Sequence, residues 1–365
     1  MENAIKLRDL ESLAAYRDGL YRQPRLTYLF FELTDACNLC CIHCGSSASP
    51  ANRTYLPLEG VRSVLESVAA KYPPESIMIC LSGGEPLLHP NFFEIAAMAT
   101  KLGFSCGITT NGTLIGAHNA HKFLENGIRS VTFSLDGLRE SHDRFRNRPG
   151  SFDRTLEGIR SLQEAAGKQV GIQVTTVIHR ENIGELEDIF RQMCLVGVDS
   201  WRVINLEPIG RALHHSQLLL RPEEYRQLLE FIREKRYTPG VTMDVTYGCS
   251  HYLTPALERE VRDYYFICGS GIYVASILCN GDIYSCMDIE RRPELVQGNI
   301  FRDDFTEVWE NRFQAFREDR TERCETCRQC ADRRFCRGDA AHTWDYDRKE
   351  PMLCIKQQLK LSKGE

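Results

Sequence analysis

Four of the chain's 16 cysteines crowd one short loop: Cys37, Cys40, Cys41 and Cys44. Cys37, Cys41 and Cys44 form C-x3-C-x2-C directly after an apolar, β-rich run. Three thiolates on one loop can hold three irons of a [4Fe-4S] cube and leave the fourth iron open to a further ligand, whereas structural zinc requires four closed ligands. Cys40 could complete a zinc set, but adjacent Cys40 and Cys41 would point in divergent directions. A second group fills the last third of the chain: Cys249, Cys268, Cys279, Cys286, Cys324, Cys327, Cys330, Cys336 and Cys354. By spacing alone its C-x2-C pair also suits a zinc ribbon. The lone Cys80, Cys106 and Cys194 sit in apolar runs and read as small buried hydrophobes.

The N-terminus mixes charges with apolar residues instead of presenting an export signal, and nowhere do about 18 apolar residues run together. The expectation is a cytoplasmic, reducing location with no membrane contact, in which so many thiols imply metal. Lys plus Arg is 45 against 50 Asp plus Glu, for a net charge of −5, and no segment carries the basic surplus that phosphate contacts require. Nucleic acid is not expected as a partner.

Elements able to position these cysteines are legible in the apolar periodicity. Six β-rich runs, at 27–33, 77–81, 104–109, 130–135, 170–177 and 201–205, alternate with helical patterns at 58–71, 92–102, 151–166 and 183–196. Such βα alternation predicts an α/β fold with a parallel sheet, an incomplete TIM-like (β/α)6 barrel with its chemistry at the C-terminal strand ends. A further helix at 222–235 precedes the TPG turn at 238–240, beyond which the chain becomes loop-rich and Cys-rich. Three parts follow: a helix and connector at 1–25, the barrel at 26–237, and a Cys-rich domain at 238–365.

The loop ELTDACNLCCIHCGSS resembles the signature of the radical S-adenosylmethionine (SAM) enzymes, and further marks follow in that superfamily's order. Ser82-Gly83-Gly84-Glu85-Pro86 after the second strand looks like its GGEP motif, whose glycines let main-chain atoms approach a ligand closely. TTNG at 109–112 and SLDG at 134–137 end the third and fourth strands, although turn chemistry alone explains both. The resemblance implies that Cys37, Cys41 and Cys44 hold a [4Fe-4S] cluster and that Ser82, Gly83, Gly84 and Glu85 bind SAM. It further implies that Ser134 bonds the SAM ribose and Arg146 approaches the SAM carboxylate. His43 would lie beside the adenine, with Leu206 packed on it.

Downstream, Cys268, twelve residues, Gly281, four residues and Cys286, then Cys327-x2-Cys330-x5-Cys336 and Cys354, resemble the SPASM extension, which holds two auxiliary [4Fe-4S] clusters. ILCNGDIYSC within it reads as a hairpin with an Asn-Gly turn. The resemblance implies that Cys327, Cys330, Cys336 and Cys354 ligate the outer cluster, with Cys268 and Cys286 in the inner one. The pattern departs where a further cysteine is expected, because Ala340 stands there; Cys324 is expected to replace it, with Cys249 or Asp339 as alternatives. A second departure is Met287, followed by Asp288, where sulfatase-maturing members carry an acid directly after the equivalent of Cys286.

The implied chemistry is reductive SAM cleavage and hydrogen abstraction, fed by a reducing partner such as flavodoxin or ferredoxin. A ribosomally made peptide, crosslinked oxidatively through a thioether or carbon-carbon bond, is the expected substrate. It would be delivered by a separate leader-binding protein, since no winged-helix segment precedes the barrel. Oxidation or decarboxylation of a small molecule is the alternative; formylglycine formation is less favoured because of Met287. A non-enzymatic zinc or iron-sulfur protein is the reading from a different class.

Overall fold

In a computed structural model, which describes residues 2–362, each of the six β-rich runs becomes a strand: β1 (Tyr28–Glu32), β2 (Met78–Ser82), β3 (Ser105–Thr110), β4 (Ser130–Ser134), β5 (Gly171–Ile178) and β6 (Ser200–Asn205). They lie in chain order and pair in parallel throughout. Alternate side chains such as Leu29, Phe31, Ile79, Leu81, Val131 and Phe133 are fully buried. Helices shield this face: α2 (Leu58–Lys71), α3 (Phe92–Lys101), α4 (His121–Glu125), α5 (Arg139–Phe145), α6 (Ser151–Ala166), α7 (Leu186–Val196) and α8 (Pro222–Lys235), whereas α1 (Glu2–Arg22) lies apart from it. Amphipathic spacing explains the longer ones: α6 buries Phe152, Leu156, Ile159 and Leu162 at intervals of three and four residues.

The sheet does not stop at six strands or at residue 238. A seventh strand, β7 (Asp244–Tyr247), pairs in parallel with β6. At the other edge β8 (Val274–Ile277) pairs in parallel with β1, Tyr28 opposite Val274, and continues into β9 (Asp282–Tyr284) and β10 (Gly298–Asn299), both antiparallel. One ten-stranded sheet therefore runs β10-β9-β8-β1-β2-β3-β4-β5-β6-β7. The expected Asn-Gly turn joins β8 to β9, with Gly281 at φ 83°.

The remaining chain has few regular elements. α1 packs on it through Leu10, which is buried with Tyr252 and Phe266, and through Arg17, whose Nη1 donates to the Phe335 carbonyl at 2.6 Å. Among the described residues no helix is long and apolar enough to cross a membrane.

Candidate active site

β1 and β2 end side by side, and their following loops lock together. Gly84 N–H donates to the Thr34 carbonyl at 2.7 Å and Glu85 N–H to the Ala36 carbonyl at 2.9 Å, which fixes the entry to the cysteine loop. The approach demands glycine, since a Cβ on Gly84 would run into the Ala36 carbonyl and one on Gly83, at φ 139°, into that of Thr34. Arg211, beyond β6, clasps the loop's other end: its Nε donates to the Cys41 carbonyl at 2.7 Å and its Nη1 to that of Ala48 at 3.0 Å.

Cys37, Cys41 and Cys44 thereby line one cavity of about 260 Å³, with Ser82, Gly83, Gly84, Asn111, Ser134, Asp136, Thr175 and Arg146 around it. Burial pushes the Cys37 thiol up to about 12 and raises Cys41 as well, though Arg146 opposes the rise at Cys41. Arg146 Nη2 pairs with Asp136 Oδ2 at 2.5 Å, and its Nη1 lies 3.7 Å from Cys41 Sγ. Asp136 is anchored in turn, accepting from Val177 N–H at 2.9 Å. The His43 ring stacks on Phe145 with centroids 4.0 Å apart, and Phe145 stacks on His179 at 4.1 Å. Burial and Arg146 hold His43 neutral, well below its usual range. Buried polar atoms here that lack a hydrogen-bond partner include His43 Nδ1, Arg146 Nε, Thr175 Oγ1 and Arg211 Nη2. Three thiols on one cavity, those of Cys37 and Cys41 buried and that of Cys44 half-buried, are a donor set that iron would deprotonate, and the orphaned atoms suit a polar ligand beside it. The residues present fit a cluster with SAM on its open iron.

The C-terminal cysteines form two groups. Cys324 Sγ accepts from Cys327 N–H at 3.4 Å, and the two thiols lie within electrostatic reach of each other. Cys330 and Cys354 lie within electrostatic reach of Cys327, Cys336 lies within reach of Cys354, and Lys356 Nζ approaches Cys330 Sγ at 3.5 Å. In the second group Cys268 Sγ accepts from Ala341 N–H at 3.3 Å, the His342 ring lies within electrostatic reach of Cys286, and both sulfurs are within reach of Tyr346.

Comparison with known proteins decides the family. The chain is 30% identical over 357 residues to an AdoMet-dependent heme synthase of Methanosarcina barkeri, covering 91% of this chain and 96% of that protein. Residues 31–193 match the radical SAM superfamily and residues 268–331 match SPASM, an iron-sulfur cluster-binding domain. The chain belongs to the radical SAM superfamily. It is an enzyme whose cofactors are SAM and [4Fe-4S] clusters. Mycofactocin maturase MftC of Mycobacterium tuberculosis is 28% identical over 315 residues, 85% of this chain and 77% of that one. Among solved structures, Streptococcus suis SuiB bound to S-adenosylmethionine superposes with a TM-score of 0.71 at 16% identity, covering 92% of this chain and 78% of that one. AdoMet-bound anSMEcpe gives 0.70 at 18% identity, covering 93% and 95%. These two show the same fold, a radical SAM partial barrel with its SPASM extension.

Within this radical SAM enzyme the motif residues separate into those that face the cavity and those that do not. His43, Ser82, Gly83, Gly84, Ser134 and Arg146 line it. Glu85 is turned away: fully buried, it accepts from Thr110 Oγ1 at 2.8 Å and Asn111 N–H at 2.9 Å, tying the β2 end to the β3 end. Leu206 packs with Phe145, Val177, Ala212 and Leu218, while Ile204 and Val177 supply the apolar lining. Cys324 stands with the outer set, not with Cys268 and Cys286. Cys249 is bound to the end of β6, where its sulfur accepts from Asn205 N–H at 3.2 Å. Asp339 is held by His251 and by Tyr252 N–H. Cys194, expected to be buried, is exposed on α7. Asp136, Asn111, Thr175 and Arg211 belong to the site. Asp136 and Asn111 lay inside SLDG and TTNG, where turn chemistry masked them; Thr175 and Arg211 carry no local signal.

Proposed function

We propose that this enzyme oxidises a small carboxylated molecule of the tetrapyrrole kind, removing a hydrogen atom beside a carboxylate side chain, with Cys37, Cys41 and Cys44 holding the SAM-binding cluster. The observation that carries the reading is a second cavity of about 480 Å³, which shares Gly45, Ser46 and Asp288 with the first. Its size is that of a small-ligand site rather than of a groove for an extended chain. Ile209, Leu213, Met287, Trp344 and Met352 give it apolar walls, and Arg291, paired with Glu32, and Arg292, paired with Glu290, Glu294 and Asp347, also line it. Such walls suit a flat ring, and the two guanidiniums supply the cationic groups its carboxylates would approach. The heme synthase relative, matched across almost its whole length, supports the same substrate class.

Cys37, Cys41 and Cys44 would hold the cluster with which SAM would supply a 5'-deoxyadenosyl radical for hydrogen abstraction. The C-terminal cysteines would hold a cluster suited to taking the one electron left when the carboxylate departs as carbon dioxide and the side chain becomes an alkene. The protein's own part is positional. Asp136 holds Arg146 against the cavity, Arg211 and the glycine turn fix the cysteine loop, and Phe145 keeps the His43 ring flat at the wall. A one-electron donor such as flavodoxin or ferredoxin would feed the SAM site.

A peptide substrate is the second reading, favoured by the match to mycofactocin maturase over 85% of this chain. One experiment separates the two. Anaerobically reconstituted enzyme with dithionite and SAM is given an iron porphyrin deuterated at its propionate β-carbons, or a β-deuterated peptide encoded beside the gene. The proposal expects deuterium in 5'-deoxyadenosine from the porphyrin, with loss of carbon dioxide. Transfer from the peptide alone replaces it with the second reading, and no 5'-deoxyadenosine from either substrate overturns both.

A further inference from the structure

The inner pair, Cys268 and Cys286, is two thiolates short of a closed cluster. Every cysteine or carboxylate expected to complete it is committed elsewhere. Cys324 caps the helix that carries Cys327, and its thiol is bonded there. Cys249 belongs to the end of β6. Asp339 spends both carboxylate oxygens, one 2.8 Å from His251 Nδ1 and the other accepting from Tyr252 N–H at 2.9 Å. Ala340, fully buried, offers no donor.

The segment that follows Ala340 nevertheless wraps the pair. Ala341 N–H reaches Cys268 Sγ, Tyr346 O–H donates back to the Ala341 carbonyl at 3.0 Å, and the neighbouring His342 ring lies within electrostatic reach of Cys286. His342 is half-buried, and its Nε2 lies 3.0 Å from Glu207 Oε2. Glu207 is itself fixed, its Oε1 lying 2.8 Å from Nε2 of the fully buried His251, whose Nδ1 meets Asp339. A histidine that rests one ring nitrogen on a carboxylate while the ring faces a thiolate has the arrangement that orients imidazole ligands toward metal.

We infer that His342 is a non-cysteine ligand of the inner auxiliary cluster, taking the place of the thiolate missing at Ala340, and that Glu207 is the positioning residue that aims its ring. Two thiolates and one imidazole then bind three irons, each with a donor from this chain. A neutral imidazole in place of a thiolate makes a cluster less negative and easier to reduce, as it does in Rieske centres. The inner cluster should therefore take up an electron before the all-thiolate outer one.

The test uses the complete holoenzyme without SAM, reduced anaerobically, with and without 15N-labelled histidine. Pulsed EPR is expected to show a nitrogen coupling on an auxiliary-cluster signal that changes isotope with the label. His342→Ala should lose that coupling and about four irons per chain, the content of one cluster. Where that variant fails to fold, His342→Cys carries the test: iron retained, the coupling gone, and the potential of that cluster lowered. Absence of histidine nitrogen from the wild-type auxiliary signals, or its persistence in His342→Cys, overturns the inference. Glu207→Gln should keep the coupling but change its orientation-dependent part; an unchanged spectrum overturns the role given to Glu207.

Discussion

The barrel mouth and the C-terminal region both gather cysteines, but they gather them by different means. At the barrel mouth the backbone does the placing: parallel strands end in a row, the glycine turn after β2 interlocks with the loop after β1, and Arg211 binds loop carbonyls. In the C-terminal region the segments bearing Cys268, Cys324 and Cys354 are far apart in sequence and joined by little regular structure. Buried charge takes over there. Glu258 and Arg262, both fully buried, pair at 2.8 Å, and Glu258 also accepts from the N–H groups of Leu253 and Phe266. The lesson is that a strand end can hold a cysteine loop through its main chain, pinned by a single arginine side chain, whereas the loop-built region relies on buried ionic side chains.

The sharpest way to break this comparison is to strip one region of its thiols. Cys37, Cys41 and Cys44 replaced together by Ala should abolish 5'-deoxyadenosine formation yet leave about two thirds of the iron, since the C-terminal sites depend on other thiolates. Chromatography and iron analysis check it. Complete loss of iron would mean that the two regions are not independent. Next in size, Glu258→Gln leaves the Arg262 guanidinium buried and without its counter-ion, a change that costs about 3–5 kcal/mol. Urea unfolding should show that loss, with the auxiliary-cluster spectrum more affected than SAM cleavage.

The matching change at the barrel mouth is Gly84→Ala, which overpacks backbone against backbone and should cost about 1–3 kcal/mol. Here the SAM-binding cluster, read from its EPR signal, should suffer first. The smallest effect is one of pH. Asp339 and Glu207 raise His251 to about 9 against the desolvation that would lower it. A histidine held above its unfolded value stabilises the fold fully below about pH 6.5, and that contribution is lost as pH rises through about 9. The loss should be of the order of 2 kcal/mol in urea titrations, and His251→Gln should flatten the dependence. A steeper loss at the barrel mouth than in the C-terminal region would reverse the comparison.

Local signals made most of the barrel legible. The helices at 58–71, 151–166 and 222–235 appear with the boundaries their apolar spacing implied, and the six strands shift by a residue at most ends. β7 escaped because Asp244-Val-Thr-Tyr is too short to show a period. The parallel pairing of β8 with β1 escaped because its partner lies some 240 residues away, and nothing local encodes it. The C-x3-C-x2-C loop and the glycine turn could be read because their spacing is intrinsic to the chemistry. Glu85 and Leu206 were misplaced because a motif gives a residue's position but not its direction: Glu85 turned to satisfy backbone donors at the β3 end. Cys324 was assigned by its sequence neighbourhood, while the short helix it caps decides where its sulfur points.

The pairing of β8 with β1 makes the barrel a poor candidate for life on its own. Cutting the chain at residue 238 would strip β7 from one side of the sheet and β8 from the other, leaving Tyr28, Leu29, Phe30 and Phe31 as an unpaired apolar border. Such a border invites a second copy to add its own strand. The C-terminal region is thus a molecular selvedge, finishing an edge that would otherwise unravel into aggregates, whatever iron it also carries.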